Sequence, residues 1–264
     1  MIAKPIKKHA SGVHLDAAAS LPAKQTPPTK KWAPRNSSYN SLISTVDDRE
    51  TREDGHDYQV LKEISRGTMS TVLYCSGGIA LKTMSESANL DAQTIYQNDT
   101  HVLALVGHHP HIVKMLKYSD QATVEYLGSL EREVVHNCQE LEALHGGELS
   151  YHLARHGPFK LATSRGLIRQ LVSGLAAIHA VGYIHRDLKP WNIIFDDDLR
   201  QLKIIDFGLA TPVNPATRHM PYSGFISGTR QYMAPEIAIR APSLIGSPLD
   251  AAQDLSKVDT FALG

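Results

Sequence analysis

Cysteine is scarce in this chain: its 264 residues contain two, Cys75 and Cys138. Two cysteines cannot make a disulfide framework, and they lack the paired spacing of a zinc site. They read as reduced thiols in a cytosolic or nuclear compartment. Net charge is also absent, because 27 Lys and Arg balance 27 Asp and Glu. That balance argues against both a strongly basic nucleic-acid binder and an acidic tail protein. No stretch approaches the roughly 18 apolar residues of a membrane span. The first ten residues carry lysines without an apolar run behind them, which argues against secretion. Residues 1–40 hold seven Lys and Arg and one acid, Asp16; lacking an amphipathic arginine-rich pattern, they leave a mitochondrial transit peptide as a minor alternative. What is present is ordinary globular material, 42% hydrophobic and 20% charged, enough to bury one sizeable core or two lobes.

Residues 1–57 are interrupted by Pro5, Pro22, Pro27, Pro28 and Pro34 and end in a charged run, so the reading predicts a disordered N-terminal tail. From Tyr58 the pattern predicts a strand to Ile64, a second over Thr71 to Tyr74, a turn at Ser76-Gly77-Gly78 and a third strand over Ile79 to Met84, an antiparallel meander. A helix follows over Asp91 to Val106, then two strands within residues 112–142 joined by an unusually long polar connection. After Gly146-Gly147 helix dominates. Leu167, Ile168, Leu171, Val172, Leu175 and Ile178 recur at helical spacing, with Ser164 as candidate N-cap and Gly182 ending the helix.

The chemistry-bearing residues concentrate in the run Tyr183 to Ile194, which contains His185-Arg186-Asp187-Leu188-Lys189-Pro190-Trp191-Asn192, and in Asp206-Phe207-Gly208 beyond it. With Ile79-Ala80-Leu81-Lys82, the run Gly228 to Glu236 and the segment Asp259 to Gly264, these strings resemble, in family order, the eukaryotic protein kinases over residues 58–264. The resemblance implies an α+β, two-lobed fold: an antiparallel sheet lobe over residues 58–141, a hinge at 142–145 and a mainly helical lobe over 146–264. Family members continue past the last segment with further helices, so the resemblance implies an incomplete helical lobe, poorly stable and weakly active alone.

The implied activity is ATP- and Mg²⁺-dependent transfer of a phosphoryl group to Ser or Thr of protein substrates. Such transfer passes through a loose transition state, so catalysis is mainly positioning and charge neutralisation. By resemblance, Asp187 orients the substrate hydroxyl and accepts its proton, Lys189 neutralises the moving phosphoryl group and Thr229 bonds across to both. Asn192 and Asp206 hold Mg²⁺. Lys82 clamps the ATP phosphates, where an unpaired ammonium would be costly. Its usual helix glutamate is replaced by Asp99, one methylene shorter, which implies a closer helix or a bridging water. Ile64, Gly67 and Val72 form the nucleotide loop, in which Ser65 and Ser70 stand where glycines are usual. Ala80 and Ile194 enclose the base, Leu141 is the gatekeeper, Glu142 and Leu144 read adenine and Glu148 reaches the ribose. Trp191 stands where relatives that select basic peptides have glutamate. Arg186 suggests a pocket for an activation segment phosphorylated by an upstream kinase, with Ser223 and Ser227 as candidate acceptors. Hinge and catalytic loop lean toward the calcium/calmodulin-dependent group. A pseudokinase scaffold is the second reading, favoured by Ser65, Ser70 and Asp99. A small-molecule kinase is the third, disfavoured by Ala234-Pro235-Glu236 and Thr229. No nucleic-acid or membrane partner is expected.

Overall fold

In this computed structural model, residues 56–67, 69–85, 88–196, 200–213, 228–238, 255 and 257–264 are described. Residues 1–55 of the tail expected over 1–57 and the candidate acceptors Ser223 and Ser227 lie outside them, whereas the last two residues expected in the tail, His56 and Asp57, are strand, paired in backbone register with Ala122 and Thr123.

The first half is a closed five-stranded barrel in the order β1-β2-β3-β5-β4. Its strands are β1 (His56–Arg66), β2 (Ser70–Cys75), β3 (Ile79–Met84), β4 (Met115–Tyr126) and β5 (Arg132–Glu142). The β2–β3 turn falls on Gly77 and Gly78, whose φ of 81° and 76° lie in the left-handed region that glycine tolerates. Residues on alternate positions fill the interior: Val60, Leu73, Cys75, Leu81, Ala122, Val124 and Cys138 are almost fully buried. Both cysteines are free, and burial pushes their thiols up to about 11 for Cys75 and about 12 for Cys138.

Two features differ from the sequence expectation. β1, β2 and β3 are antiparallel, but β1 also runs parallel to β4, with His56–Val60 facing Ala122–Tyr126, and this pairing closes the sheet. The long polar connection is absent. β4 and β5 are strands of 12 and 11 residues joined only by Leu127–Glu131. They look like loop in sequence because one face of each is solvated and the core takes only alternate residues such as Ala122 and Val124.

Between β3 and β4 runs α1 (Leu90–Val106), capped by the Asn89 side chain, which accepts the Ala92 N–H at 2.9 Å. The second half contains α2 (Leu149–His156), α3 (Leu161–Ala180), the short strands β6 (Tyr183–Ile184), β7 (Ile193–Phe195), β8 (Leu202–Ile204) and β9 (Thr211–Pro212), and helices α4 (Pro235–Ala238) and α5 (Val258–Leu263). α3 begins three residues before Ser164, which sits in its first turn and donates its backbone N–H to Lys160 O. The cap is Lys160, which makes no side-chain cap bond, so the start carries no sequence signature. Of the expected stripe, Leu167, Leu171, Leu175 and Ile178 are buried, whereas Ile168 and Val172 are about half exposed. Gly182 follows the helix at φ 81°, as its sequence position suggests. No helix among the described residues is long and apolar enough to cross a membrane.

A core of α1, α3, β7 and β8 residues surrounds Phe207, which is fully buried with Leu103, Ile112, Leu175 and Ile204. Burial of such a side chain contributes roughly 1.5–3 kcal/mol, so the segment after Asp206 is anchored in the core shared by the two halves.

Candidate active site

The loop between β6 and β7 is shaped from beneath by Asp259 on α5. Its carboxylate is fully buried and accepts the backbone N–H of His185 at 2.8 Å and of Arg186 at 2.9 Å, with His179 Nε2 at 2.8 Å. Burial works to raise the Asp259 pKa, but these bonds outweigh it and hold the carboxyl below the usual range. Arg186 takes φ 66°, a left-handed conformation that turns the chain so that Asp187 comes next. Its guanidinium donates to Thr211 Oγ1 at 2.8 Å, tying the loop to β9.

Asp187 is held on both oxygens. Oδ1 accepts the backbone N–H and the hydroxyl of Thr229, both at 2.8 Å; Oδ2 accepts Lys189 Nζ at 2.6 Å. Lys189 Nζ also donates to Thr229 Oγ1 at 2.8 Å. The Asn192 amide nitrogen donates to Asp187 O at 2.9 Å and to Oδ2 at 3.2 Å. Desolvation alone would raise the Asp187 pKa; the Lys189 and Thr229 hydrogen bonds reverse it, so the carboxylate stays ionised. Gly228, at φ 121°, passes so close to Arg186 O that a Cβ would sit 3.0 Å from it, which lets Thr229 reach Asp187.

Register places a second cluster. Val72 faces Lys82 and Tyr74 faces Ala80, so Val72, Ala80 and Lys82 share the face opposite the barrel interior. Lys82 Nζ lies 2.6 Å from Asp99 Oδ2 and 3.8 Å from Asp206 Oδ1. Burial works against the ammonium, but the two carboxylates hold its pKa above the usual value. The shorter acid therefore needs no bridging water: α1 lies close enough for direct contact. Tyr96, one turn before Asp99, sets that distance, because its hydroxyl bonds Lys82 O and Asn137 O and its ring lies 5.8 Å from Lys82 Nζ. Asp99→Glu is accordingly expected to lower transfer activity, not raise it. One more methylene must fit where Asp99 is 2% exposed, and overpacking costs about 1–3 kcal/mol. Paired measurements of melting temperature and transfer rate check this, and a faster enzyme would overturn it.

Other expected residues fall as follows. Ile64 sits at an irregularity in the β1–β2 register and is half exposed. Gly67 turns the chain, its N–H donating to Ser70 O at 2.9 Å. Leu141 and Glu142 end β5; the Glu142 carboxylate bonds Lys203 Nζ and the Lys114 N–H, both at 2.7 Å. Leu144 makes no hydrogen bond among the described residues. Gly146 passes against β7, where a Cβ would meet Asp196 O at 2.2 Å, and its N–H donates to Phe195 O at 3.1 Å. Glu148 is exposed and accepts from Ser150 Oγ at 2.7 Å, and its backbone bridges Ile194.

Hard oxygen ligands stand between the two clusters. The Asp206 side chain is 49% exposed, at φ 64°, with Lys82 at its side. Asn192 turns its amide nitrogen to Asp187, leaving its oxygen as the atom available to a cation. Such a set fits Mg²⁺, which needs few protein ligands.

Sequence reasoning passed over Asn98, Tyr96 and His179. For Tyr96 the available signal was the α1 stripe Ala92, Tyr96, Asp99, Leu103, all buried, which carries polar groups on an inward face.

A family model described as "Protein kinase domain" matches residues 58–264. Among curated proteins, the chain is 28% identical over 208 residues to serine/threonine-protein kinase pkn2 of Myxococcus xanthus, covering 75% of this chain and 23% of that protein. It is 31% identical over 215 residues to probable serine/threonine-protein kinase 2 of Plasmodium falciparum, covering 78% and 36%. With serine/threonine-protein kinase PLK4 of Xenopus laevis it shares 28% identity over 194 residues, 70% and 19%. The matched region spans between 19% and 36% of the length of these relatives.

Proposed function

Because this chain belongs to the protein kinase family, we propose that it transfers the γ-phosphoryl group of ATP to serine or threonine hydroxyls of protein substrates. The observation that carries the reading is the closed set Asp187, Lys189 and Thr229, three polar groups bonded pairwise within 2.8 Å around one ionised carboxylate.

Asp187, already deprotonated, orients the incoming hydroxyl and takes its proton. Lys189, beside it, offsets charge on the transferred group. Thr229 keeps both in register. Lys82, held by Asp99, presents an ammonium to the phosphates, and Gly67 lets the β1–β2 turn cover them. Val72, Ala80 and Ile194 offer apolar contact to the base, Leu141 stands beside it as the gatekeeper, and Glu142 and Leu144 offer backbone groups; the unengaged Leu144 amide supports this. Glu148 is the ribose contact. Asn192 and Asp206 would hold Mg²⁺, which would supply neutralisation of phosphate charge.

Radiolabel transfer from ATP and Mg²⁺ to a mixed peptide library, followed by identification of the labelled amino acid, tests the reading. Phosphoserine or phosphothreonine supports it. No label under any peptide composition, with nucleotide bound, would favour a scaffold. The compartment is cytosol or nucleus, supported by the two free, buried cysteines.

Trp191 carries the expectation for substrate. It is 48% exposed and packs T-shaped on Tyr232, with ring centroids 6.2 Å apart. The indole brings a stacking face and no negative charge, so a peptide array is expected to show weak dependence on arginine near the acceptor. Any residue of it should come from Glu148 or cation-π contact. Strong multi-arginine dependence that survives Glu148→Ala would refute this.

A further inference from the structure

The backbone just after Asp206 is gripped by two adjacent residues of α1. Asp99 Oδ1 accepts the Phe207 N–H at 2.7 Å. Asn98 Nδ2 donates to Phe207 O at 3.1 Å, Gly208 O at 2.9 Å and Ala210 O at 2.8 Å. Both side chains are buried, Asn98 at 4% exposure. The amide orientation is fixed by chemistry, since the opposite flip would point an oxygen at three carbonyls. The other end of the amide, Oδ1, is buried and has no partner among the described residues. The amide is therefore engaged through its nitrogen, on the side that faces the turn. The helix also touches the segment directly: a Cβ on Gly208 would lie 2.5 Å from Ile95 Cγ2.

What this grip holds is the conformation of Asp206. Its φ of 64° is a left-handed value for a residue with a side chain, and such conformations persist only where the surroundings over-determine them. On its C-terminal side the hydrogen bonds to the backbone of Phe207, Gly208 and Ala210 come, among the described residues, from α1 or from the local turn in which Ala210 N–H donates to Phe207 O at 3.0 Å, while the Phe207 ring is buried in the core. The same helix holds Lys82 through Asp99.

We infer that Asn98 is a positioning residue that locks the Asp206-Phe207-Gly208 turn to α1, so that the Asp206 carboxylate and the Lys82–Asp99 pair are set by one rigid element. This rests on the phosphoryl-transfer reading only for its effect on rate; the lock itself is a property of the chain without nucleotide.

Hydrogen exchange read by mass spectrometry over residues 205–212, without nucleotide, tests it. Asn98→Ala removes the donors. Asn98→Asp keeps the shape but points acceptors at three carbonyls. Thr100→Val is the control: it removes another buried polar contact of α1, to Gln139 Nε2 at 2.6 Å, which does not involve the turn. Both Asn98 variants are expected to speed exchange in 205–212 by about tenfold or more, each factor of ten being 1.4 kcal/mol of local opening. Thr100→Val should leave that segment within about twofold. In transfer assays the Asn98 variants should lose kcat and need more Mg²⁺, with the peptide KM unchanged. Equal acceleration in the control, unchanged exchange in both Asn98 variants, or failure of both to fold would overturn the inference. A wild-type chain with the protected turn but no transfer would instead remove the functional reading and leave the lock standing.

Discussion

Asp187→Asn is expected to lose between about a hundredfold and ten-thousandfold in transfer rate, the usual contribution of a positioned acid or base, while the chain still folds. The retained side-chain oxygen can go on accepting from the Thr229 N–H and hydroxyl. The new amide would face Lys189 Nζ, now 2.6 Å from Oδ2, and two donors cannot share that contact. Lys189 keeps its bond to Thr229 Oγ1, so the cluster loosens without emptying. The loss should therefore appear in kcat, with ATP binding nearly unchanged and a melting temperature lowered by a few degrees. Wild-type turnover in this variant would remove Asp187 from the chemistry and with it the role proposed for the loop.

The second large effect is that of Lys82→Met, and it has two components. Transfer should fall because no other cation among the described residues is placed beside Asp99 and Asp206. Stability should fall as well. Asp99 is 2% exposed, and removing its ammonium leaves a buried carboxylate with, among the described residues, only the Phe207 N–H as partner. Breaking a buried pair from one side costs about 3–5 kcal/mol. The composition of the segment around Lys82 gives no hint of this penalty, which arises from the depth of Asp99. The double variant Lys82→Met with Asp99→Leu separates the components. Replacing both charges by apolar groups should restore most of the stability, as buried pairs generally allow, and restore none of the transfer. Calorimetry and a transfer assay on the three chains decide it. A single variant as stable as wild type would mean that the pair contributes nothing to the fold.

Much of the site was legible because chemistry dictates residue identity there. Asp187, Lys189, Asn192 and Thr229, read from short strings of sequence, share one hydrogen-bonded group, and Asp206 lies apart from it, 3.8 Å from Lys82. β3 was legible to the residue, since Gly77-Gly78 marks its start, although its burial does not alternate cleanly. The polar strands β4 and β5 were not, because solvated faces imitate loop. The parallel seam between β1 and β4 joins residues with no local signal of each other. The grip of Asn98 spans 109 to 112 positions of sequence, and nothing in α1 announces a partner so distant. Of the two arrangements that the shorter Asp99 implied, a closer helix or a bridging water, the structure shows direct contact at 2.6 Å; side-chain length was visible in sequence, while the part of Tyr96 in holding the helix close was not.

The closed sheet bears on what can associate with this chain. Every strand of the barrel has two neighbours over at least part of its length, so no complete row of backbone donors and acceptors faces outward for another polypeptide to extend. Where the seams stop short, the strands carry charge: Lys62, Glu63 and Arg66 at the end of β1, Arg132 and Glu133 at the start of β5. Charges at such places discourage further strand addition. Partners of this half of the molecule must therefore be read through side chains on its outer faces, and self-assembly by sheet extension, the common failure of exposed β-structure, is closed off by topology before solubility enters.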